Sequence, residues 1–249
     1  RIRYDKIKPN STTIAQSVWD DIHNPLDQNF LKGNTFKLMK RYHNRIKKAL
    51  FNISPQSSTL LDIGSGKGGD VAKWKKFSKI VAVEPNSEYI PELQRRIHLH
   101  GLQDRVLIVH SGGENTSYIT QKVQNFIGSK VDTISMMLSM TFFWKSQNMV
   151  NLLINTIDSN LKIGGNFIFF TMDGDLVRQT FHPAFNTGPF ITDLKLNNSH
   201  LHYTPELNQL HIHIEDSIVN DQTEWLVSLD DIWRSEEHTS ELQSPLCIS

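Results

Sequence analysis

The stretch "LLDIGSGKGGDVAKW", Leu60–Trp74, passes from an apolar run through an acid into four glycines within six positions. A short apolar run closed by such a cluster reads as a buried strand entering a tight loop. Residues 69–77 then read as a helix. Glycine has no Cβ, so the backbone can turn sharply and approach a ligand closely. Gly64, Gly66 and Gly69 satisfy GxGxxG, a pattern that by itself is weak. Gly69 is followed by Asp70 rather than by lysine and a hydroxyl residue, so the Walker pattern fails and a nucleoside-triphosphatase loop is disfavoured.

Strands and helices alternate on both sides of this loop. Residues 34–51 read as a helix, with Met39, Tyr42, Ile46, Ala49 and Leu50 at helical spacing and lysines and arginines between them. "KIVAVEP", "RVLIVHS", "VDTISMML" and "GGNFIFFTM" read as strands. Residues 88–100, "SYITQKVQNFIG" and residues 147–160 read as the helices between them. This order predicts an α/β fold, a doubly wound and mostly parallel sheet. A helix is expected near Ile14–Ile22. "HYTPELNQLHIHIED" and "EWLVSLDDI" read as later strands with mixed pairing.

A dinucleotide, a triphosphate or S-adenosylmethionine (SAM) can sit on a glycine loop after a strand. Glu84 ends the second strand, 22 residues after Asp62, and is placed to accept from ribose hydroxyls in either a dinucleotide or a SAM site. Asp62 shifts the balance. An acid at the mouth of the loop opposes a pyrophosphate and suits the ammonium and sulfonium of SAM. The same carboxylate can equally cap loop N–H groups.

The chain has 249 residues with 26 basic and 26 acidic side chains, enough for one large domain. Residues 1–50 nevertheless hold eleven Lys or Arg against four Asp, a local excess that suits an anionic partner such as RNA or simply forms a solvated face. No apolar run approaches a membrane span. Cys247 is the only cysteine, so no disulfide forms within one chain, and a cytoplasmic location is expected. His211 and His213 share one alternation, but no cysteine or third ligand joins them, so no metal is expected. The segment "RSEEHTSELQS" resembles the translated read of a sequencing adapter. Residues 234–249 are therefore expected to be a non-native tail, and the domain before it to be C-terminally truncated.

Four stretches, in order, resemble the mRNA cap guanine-N7 methyltransferases. They are "RYHNRIKKALF", "LLDIGSGKGGDVAKW", "LKIGGNFIFFTMDGDLV" and "IEDSIVNDQTEWLV". The resemblance implies a class I SAM-dependent (Rossmann-like) domain over 35–233. The opening residues, 1–34, resemble the segment that precedes this domain in multidomain capping enzymes of large DNA viruses. Guanylyltransferase and triphosphatase modules would then lie upstream, with capped RNA as substrate and no membrane partner. Carried over residue by residue, the family implies that Lys47 meets the SAM carboxylate, with Asp62, Gly64 and Gly66 in the loop and Glu84 on the ribose. Ser111 or Gly112 stands where the family has an adenine-binding acid. His43 and Asn44 match its paired asparagines near the cap. Lys67, Lys73 and Arg96 fall at cap-side basic positions. Glu215 matches the acid that accepts from the guanine edge, although its spacing to Glu224 is two residues longer than in cellular enzymes.

"MMLSMTFFW" departs from the family, which has a glutamine and a His-Tyr pair where this chain has Met137, Thr141 and Phe142. Phe142 keeps an aromatic wall, Thr141 a small hydroxyl, and Met137 either lines SAM or packs in the core. Guanine N7 carries a lone pair at neutral pH, so the reaction needs positioning and no catalytic acid, base, nucleophile or metal. The alternatives are another SAM methyltransferase, a non-catalytic capping subunit with the same fold, and an NAD-dependent oxidoreductase.

Overall fold

The computed structural model describes residues 35–181, 192–196, 199–214, 221–228 and 246–248. The helix expected near Ile14–Ile22 lies outside them. Helix α1 (Thr35–Ile53) buries Ile46, Ala49, Leu50 and Phe51 along one stripe, whereas Tyr42 stays exposed. Lys76 closes the helix. Its ammonium donates to the carbonyls of Phe51 at 3.1 Å and Asn52 at 3.2 Å, and to Ser54. A cation there satisfies terminal carbonyls and meets the negative end of the helix dipole.

The central sheet comprises β1 (Thr59–Ile63), β2 (Lys79–Glu84), β3 (Val106–His110), β4 (Val131–Met137), β5 (Leu161–Phe170) and β10 (Leu246–Ile248). Its order is β10-β5-β4-β1-β2-β3, with every pairing parallel. Alternate residues serve opposite faces, as the pleat requires. Leu60, Ile80 and Ala82 join α1 and helix α2 (Ile90–Leu99) in one core, which also holds Trp74 and Phe77. Leu61, Ile63, Val81 and Val83 face helices α3 (Thr116–Ile127) and α4 (Gln147–Asn160) in the other. This is the predicted doubly wound fold.

Two details differ from expectation, and a third concerns the expected tail. The helix expected over 69–77 is a 3-10 turn, Val71–Lys76. Strand β5 starts directly out of α4 and breaks register against β4 between Val131 and Thr133. Gly164, at φ +75°, supplies the left-handed residue that such a bulge uses. Residues 246–248, within the tail set aside as non-native, pair with Ile168–Phe170 at the edge of β5. That edge is apolar, and a strand edge is a template for any compatible segment.

The later strands form a second, antiparallel sheet, β6 (Asp193–Leu196), β7 (Ser199–Thr204), β8 (Gln209–Ile214) and β9 (Gln222–Trp225), in sequential order. Phe181 from helix α5 (Gly174–Phe181) packs there against Tyr203, Leu210, Ile212 and Leu226. The backbone joins the two units where Gly174 N–H donates to Val227 O at 2.9 Å. Trp74 is fully buried among α1, the 3-10 turn and the sheet. Trp74→Ala should cost about 3–5 kcal/mol, read as a lowered urea midpoint.

Candidate active site

The chain leaves β1 for β2 on one side and returns to β4 on the other, so the sheet's switch point lies between β1 and β4. Ligands of open α/β sheets bind at the carboxyl ends of the strands flanking that point. Here the glycine loop leaves β1 and the Ser139–Phe142 segment leaves β4. They touch at Gly64, where φ is +80° and an added Cβ would overlap the Ser139 side chain. Ser139 is held in turn by donating to Ile63 O at 2.6 Å. The Gly64 and Ser65 N–H groups donate to Val83 O at 2.9 and 3.0 Å, tying the loop to β2.

The left-handed glycines of the loop are Gly64, Gly66 and Gly68. Gly69 has ordinary backbone and open space where a Cβ would stand. The third glycine of the GxGxxG match is thus not the structural one. At Gly68 a Cβ would lie 2.9 Å from both Leu93 Cδ1 and Val71 Cγ2, so close packing on α2 demands the glycine there.

Two acids of the sequence reading occupy different ground. Glu84 is buried and accepts from Gly66 N–H at 2.6 Å and Asn86 N–H at 2.8 Å, one bond to each carboxylate oxygen. Asp62 lies beneath the loop rather than at its mouth. It is 3 % exposed and accepts from the Ser135 hydroxyl of β4. Burial raises its pKa to about 6, opposed first by the hydrogen bond from Ser135. An acid one residue before the loop lies within the strand, and there the pleat turns it toward the core.

Lys47, on α1, pairs with Asp70 Oδ2 at 3.0 Å. Lys73 pairs with Asp70 Oδ1 at 2.7 Å and donates to Asn44 Oδ1 at 3.0 Å. The helix and the loop therefore meet through a compact charged cluster. His43, one residue from Asn44, sets its ring edge against Phe170 with centroids 4.9 Å apart. Burial, then Lys47, lowers its pKa to about 4, so the ring is neutral at physiological pH. Lys67 lies exposed over the Tyr89 ring at 4.9 Å, and Arg96 Nε pairs with Glu92 at 2.7 Å.

Ser111 is half-buried after β3, its hydroxyl donating to Gly112 O at 3.1 Å. An acid the sequence reading passed over stands beside it. A Cβ on Gly112 would overlap the Glu114 carboxylate, which folds back over the glycine.

On the β4 side, Met137 is 7 % exposed and belongs to the core around α1 and β5. Phe142 is 43 % exposed, a free aromatic face in a 3-10 turn spanning Met140–Lys145. Thr141 is buried in the same turn. Glu215 lies outside the described residues. In sequence it continues the alternation of His211 and His213, which are partly exposed. Glu224 on β9 pairs in register with buried Leu210 and shares that inner face. Burial raises its pKa to about 7. The Thr141 hydroxyl opposes that shift, although the contact falls short of full hydrogen-bond geometry and leaves the buried oxygen without a formal partner. Gln222 Nε2 donates to Glu224 Oε1 at 2.9 Å. Gln222, Glu224 and Leu226 share one alternation, and the apolar member marks that face as inward.

The mRNA (guanine-N(7))-methyltransferase domain profile matches residues 13–239. The chain belongs to this family. Its fold is also that of a SAM-dependent methyltransferase from Clostridium acetobutylicum, at TM-score 0.56 and 16% identity over 96% of this chain and 94% of that one. The CcbJ methyltransferase from Streptomyces caelestis gives TM-score 0.52 at 12% identity, over 75% and 78% of the two chains. The "Uncharacterized killer plasmid pGKl-2 protein 3" of Kluyveromyces lactis is 54% identical over 52 residues, which are 20% of this chain and 9% of that protein. Among the described residues, no helix is long and apolar enough to cross a membrane, and no group of three or more His, Cys, Asp or Glu is arranged to hold a metal.

A carboxyl whose pKa is raised by partial burial, as at half-buried Glu224, destabilises the fold once it ionises. For Glu224, ordinarily near 4.5 and here about 7, that cost is absent at low pH and grows as pH rises from 4.5 to 7. Glu224→Gln should therefore raise the melting temperature more at pH 8 than at pH 5. Equal gains at both would contradict a raised pKa at Glu224.

Proposed function

We propose that this domain transfers a methyl group from S-adenosylmethionine to N7 of the guanine that caps an RNA 5′ end. Within the family, the observation that carries this reading is the pairing of two half-sites across the switch point. One is Glu84 beneath an open Gly66 with Lys47 at the rim. The other is Phe142, Thr141 and the inward acid Glu224.

The residues present fit the cofactor. Space opens beyond Gly66, where no atom lies within 4 Å of an added Cβ. Each Glu84 oxygen spends one acceptor site on backbone and keeps capacity for a ribose hydroxyl. Lys47 would hold the cofactor carboxylate, and Ser111 and Glu114 the adenine edge. When bound, S-adenosylmethionine supplies an electrophilic methyl on a sulfonium, whose leaving group is a neutral thioether. Asp62 contributes from below, by joining β1 to β4 under the loop.

On the acceptor side Phe142 offers a ring face for guanine. Glu224, rather than Glu215, accepts from the N1 and N2 donors. Lys67, Lys73 and Arg96 face the cap phosphates, and neutral His43 and Asn44 line the wall beside them. Guanine N7 needs no deprotonation, so these groups orient and desolvate. Holding two reactants in attack geometry supplies about 7–11 kcal/mol of a barrier. Fixed charges add to it.

The relative in Kluyveromyces lactis is more than twice as long as this chain, since 52 residues make up 9% of it. That length supports a multimodule capping protein, with guanylyltransferase and triphosphatase modules upstream as in the enzymes of large DNA viruses. We place its action on capped RNA in the cytoplasm.

The deciding experiment compares labelled methyl transfer from SAM to GpppRNA and to ApppRNA. Transfer to the guanine cap alone is expected, and equal transfer to both would overturn the reading. Lys47→Met and Glu84→Gln should each raise the SAM KM about tenfold, the size of one lost charge-assisted contact. Because the acceptor acid must be ionised, affinity for GpppG should rise from pH 6 to pH 8, and Glu224→Gln should flatten that rise.

A further inference from the structure

Asp70 carries a single carboxylate between two ammonium groups that belong to different halves of the site. Oδ2 accepts from Lys47 at 3.0 Å and Oδ1 from Lys73 at 2.7 Å. The three side chains are 14 %, 12 % and 12 % exposed for Lys47, Asp70 and Lys73, so solvent screens the cluster poorly. The Asp70–Lys73 bond, at i and i+3, is a local pair found on many helical turns. The Lys47 bond is not local. It spans 23 positions and ties α1 to the glycine loop. Asn44, one helical turn before Lys47, accepts from the same Lys73 ammonium. Both oxygens of Asp70 are thus committed, one to each lysine.

We infer that Asp70 is a positioning residue that couples the two half-sites, as the shared counter-ion of Lys47 and Lys73. This rests on the assignment of Lys47 to the cofactor carboxylate and Lys73 to the cap phosphates. The physical consequence follows from the count of charges. With both lysines present, the carboxylate divides its charge between them. Without Lys73, its full charge falls on Lys47 and competes there with an incoming carboxylate. Without Lys47, it leans on Lys73 and competes with an incoming phosphate. Each lysine then affects the ligand that it does not touch, and Asp70 carries the effect.

The test is a double-mutant cycle read by calorimetry, with S-adenosylhomocysteine as donor-side probe. The whole chain is used as wild type, Lys73→Met, Asp70→Asn and the double variant. Lys73→Met should weaken S-adenosylhomocysteine binding about threefold or more, the lower range of coupling between residues of one ionic network. In the Asp70→Asn background the same substitution should change Kd less than about twofold. Lys47→Met should mirror this with GpppG as acceptor-side probe. Asp70→Glu should keep the coupling, which a neutral staple between α1 and the loop would not require. Lys73→Gln replaces Lys73→Met should the latter fail to fold by thermal melt. If wild-type protein does not bind S-adenosylhomocysteine, the donor assignment falls and the inference with it. If it binds, and Lys73→Met leaves Kd unchanged or acts equally in both backgrounds, the inference alone is overturned.

Discussion

Everything at the site depends on how closely two chain segments approach at the switch point of the sheet. Gly64 and Ser139 meet where the paths from β1 and β4 diverge, and there is no room for a Cβ between them. Because Gly64 is left-handed and Ser139 donates to Ile63 O, each segment sets the course of the other. The glycine loop is thereby turned toward Glu84, whose buried carboxylate takes the Gly66 N–H. The segment after β4 is turned so that Thr141 goes inward and Phe142 outward. The two half-sites of the proposed reaction arise from this one close contact.

The charged groups around that contact divide into buried acids that hold the loop and the sheet in place and cations at the rim, of which Lys67 is exposed while Lys47 and Lys73 are largely covered and paired. Asp62 and Glu84 are nearly inaccessible and satisfy a hydroxyl and two N–H groups respectively. Buried polar groups of this kind hold their place because leaving one unpaired is costly. Lys67 sits on an exposed ring face, and Lys47 and Lys73 are held by Asp70 at the rim. Shape is thus maintained from within, while Lys67 presents its charge outward. That division suits a ligand pair in which one member is a polyanion.

The second sheet contributes through packing. Its inner residues Tyr203, Leu210, Ile212 and Leu226 close a small core with Phe181, and the same inward face carries Glu224 to Thr141. The strand that brings Glu224 to Thr141 is therefore held by apolar burial at some distance from the acid itself. Lys145 adds a contact from the 3-10 turn, 5.7 Å above the Trp225 ring.

Much of this was legible in the residues alone. The alternation of apolar runs with helical stripes dictates a parallel sheet, because period and length leave few other ways to bury those side chains. The strand-end acid at Glu84 could be named from its place in the chain, whereas Lys47 on α1 and Phe142 after β4 were singled out only by the resemblance to the cap methyltransferases. Other assignments needed three dimensions. Whether Gly68 or Gly69 is the constrained glycine depends on where Leu93 and Val71 lie. Whether Asp62 faces a ligand or the core depends on which side of β1 it occupies. That Glu224 shares the face of buried Leu210 depends on the register of β9 against β8. That Asp70 joins Lys47 to Lys73 depends on α1 crossing the loop. A sequence pattern records the local preferences of each segment, but these contacts join residues far apart in the chain, and only the packed sheet settles which of them meet.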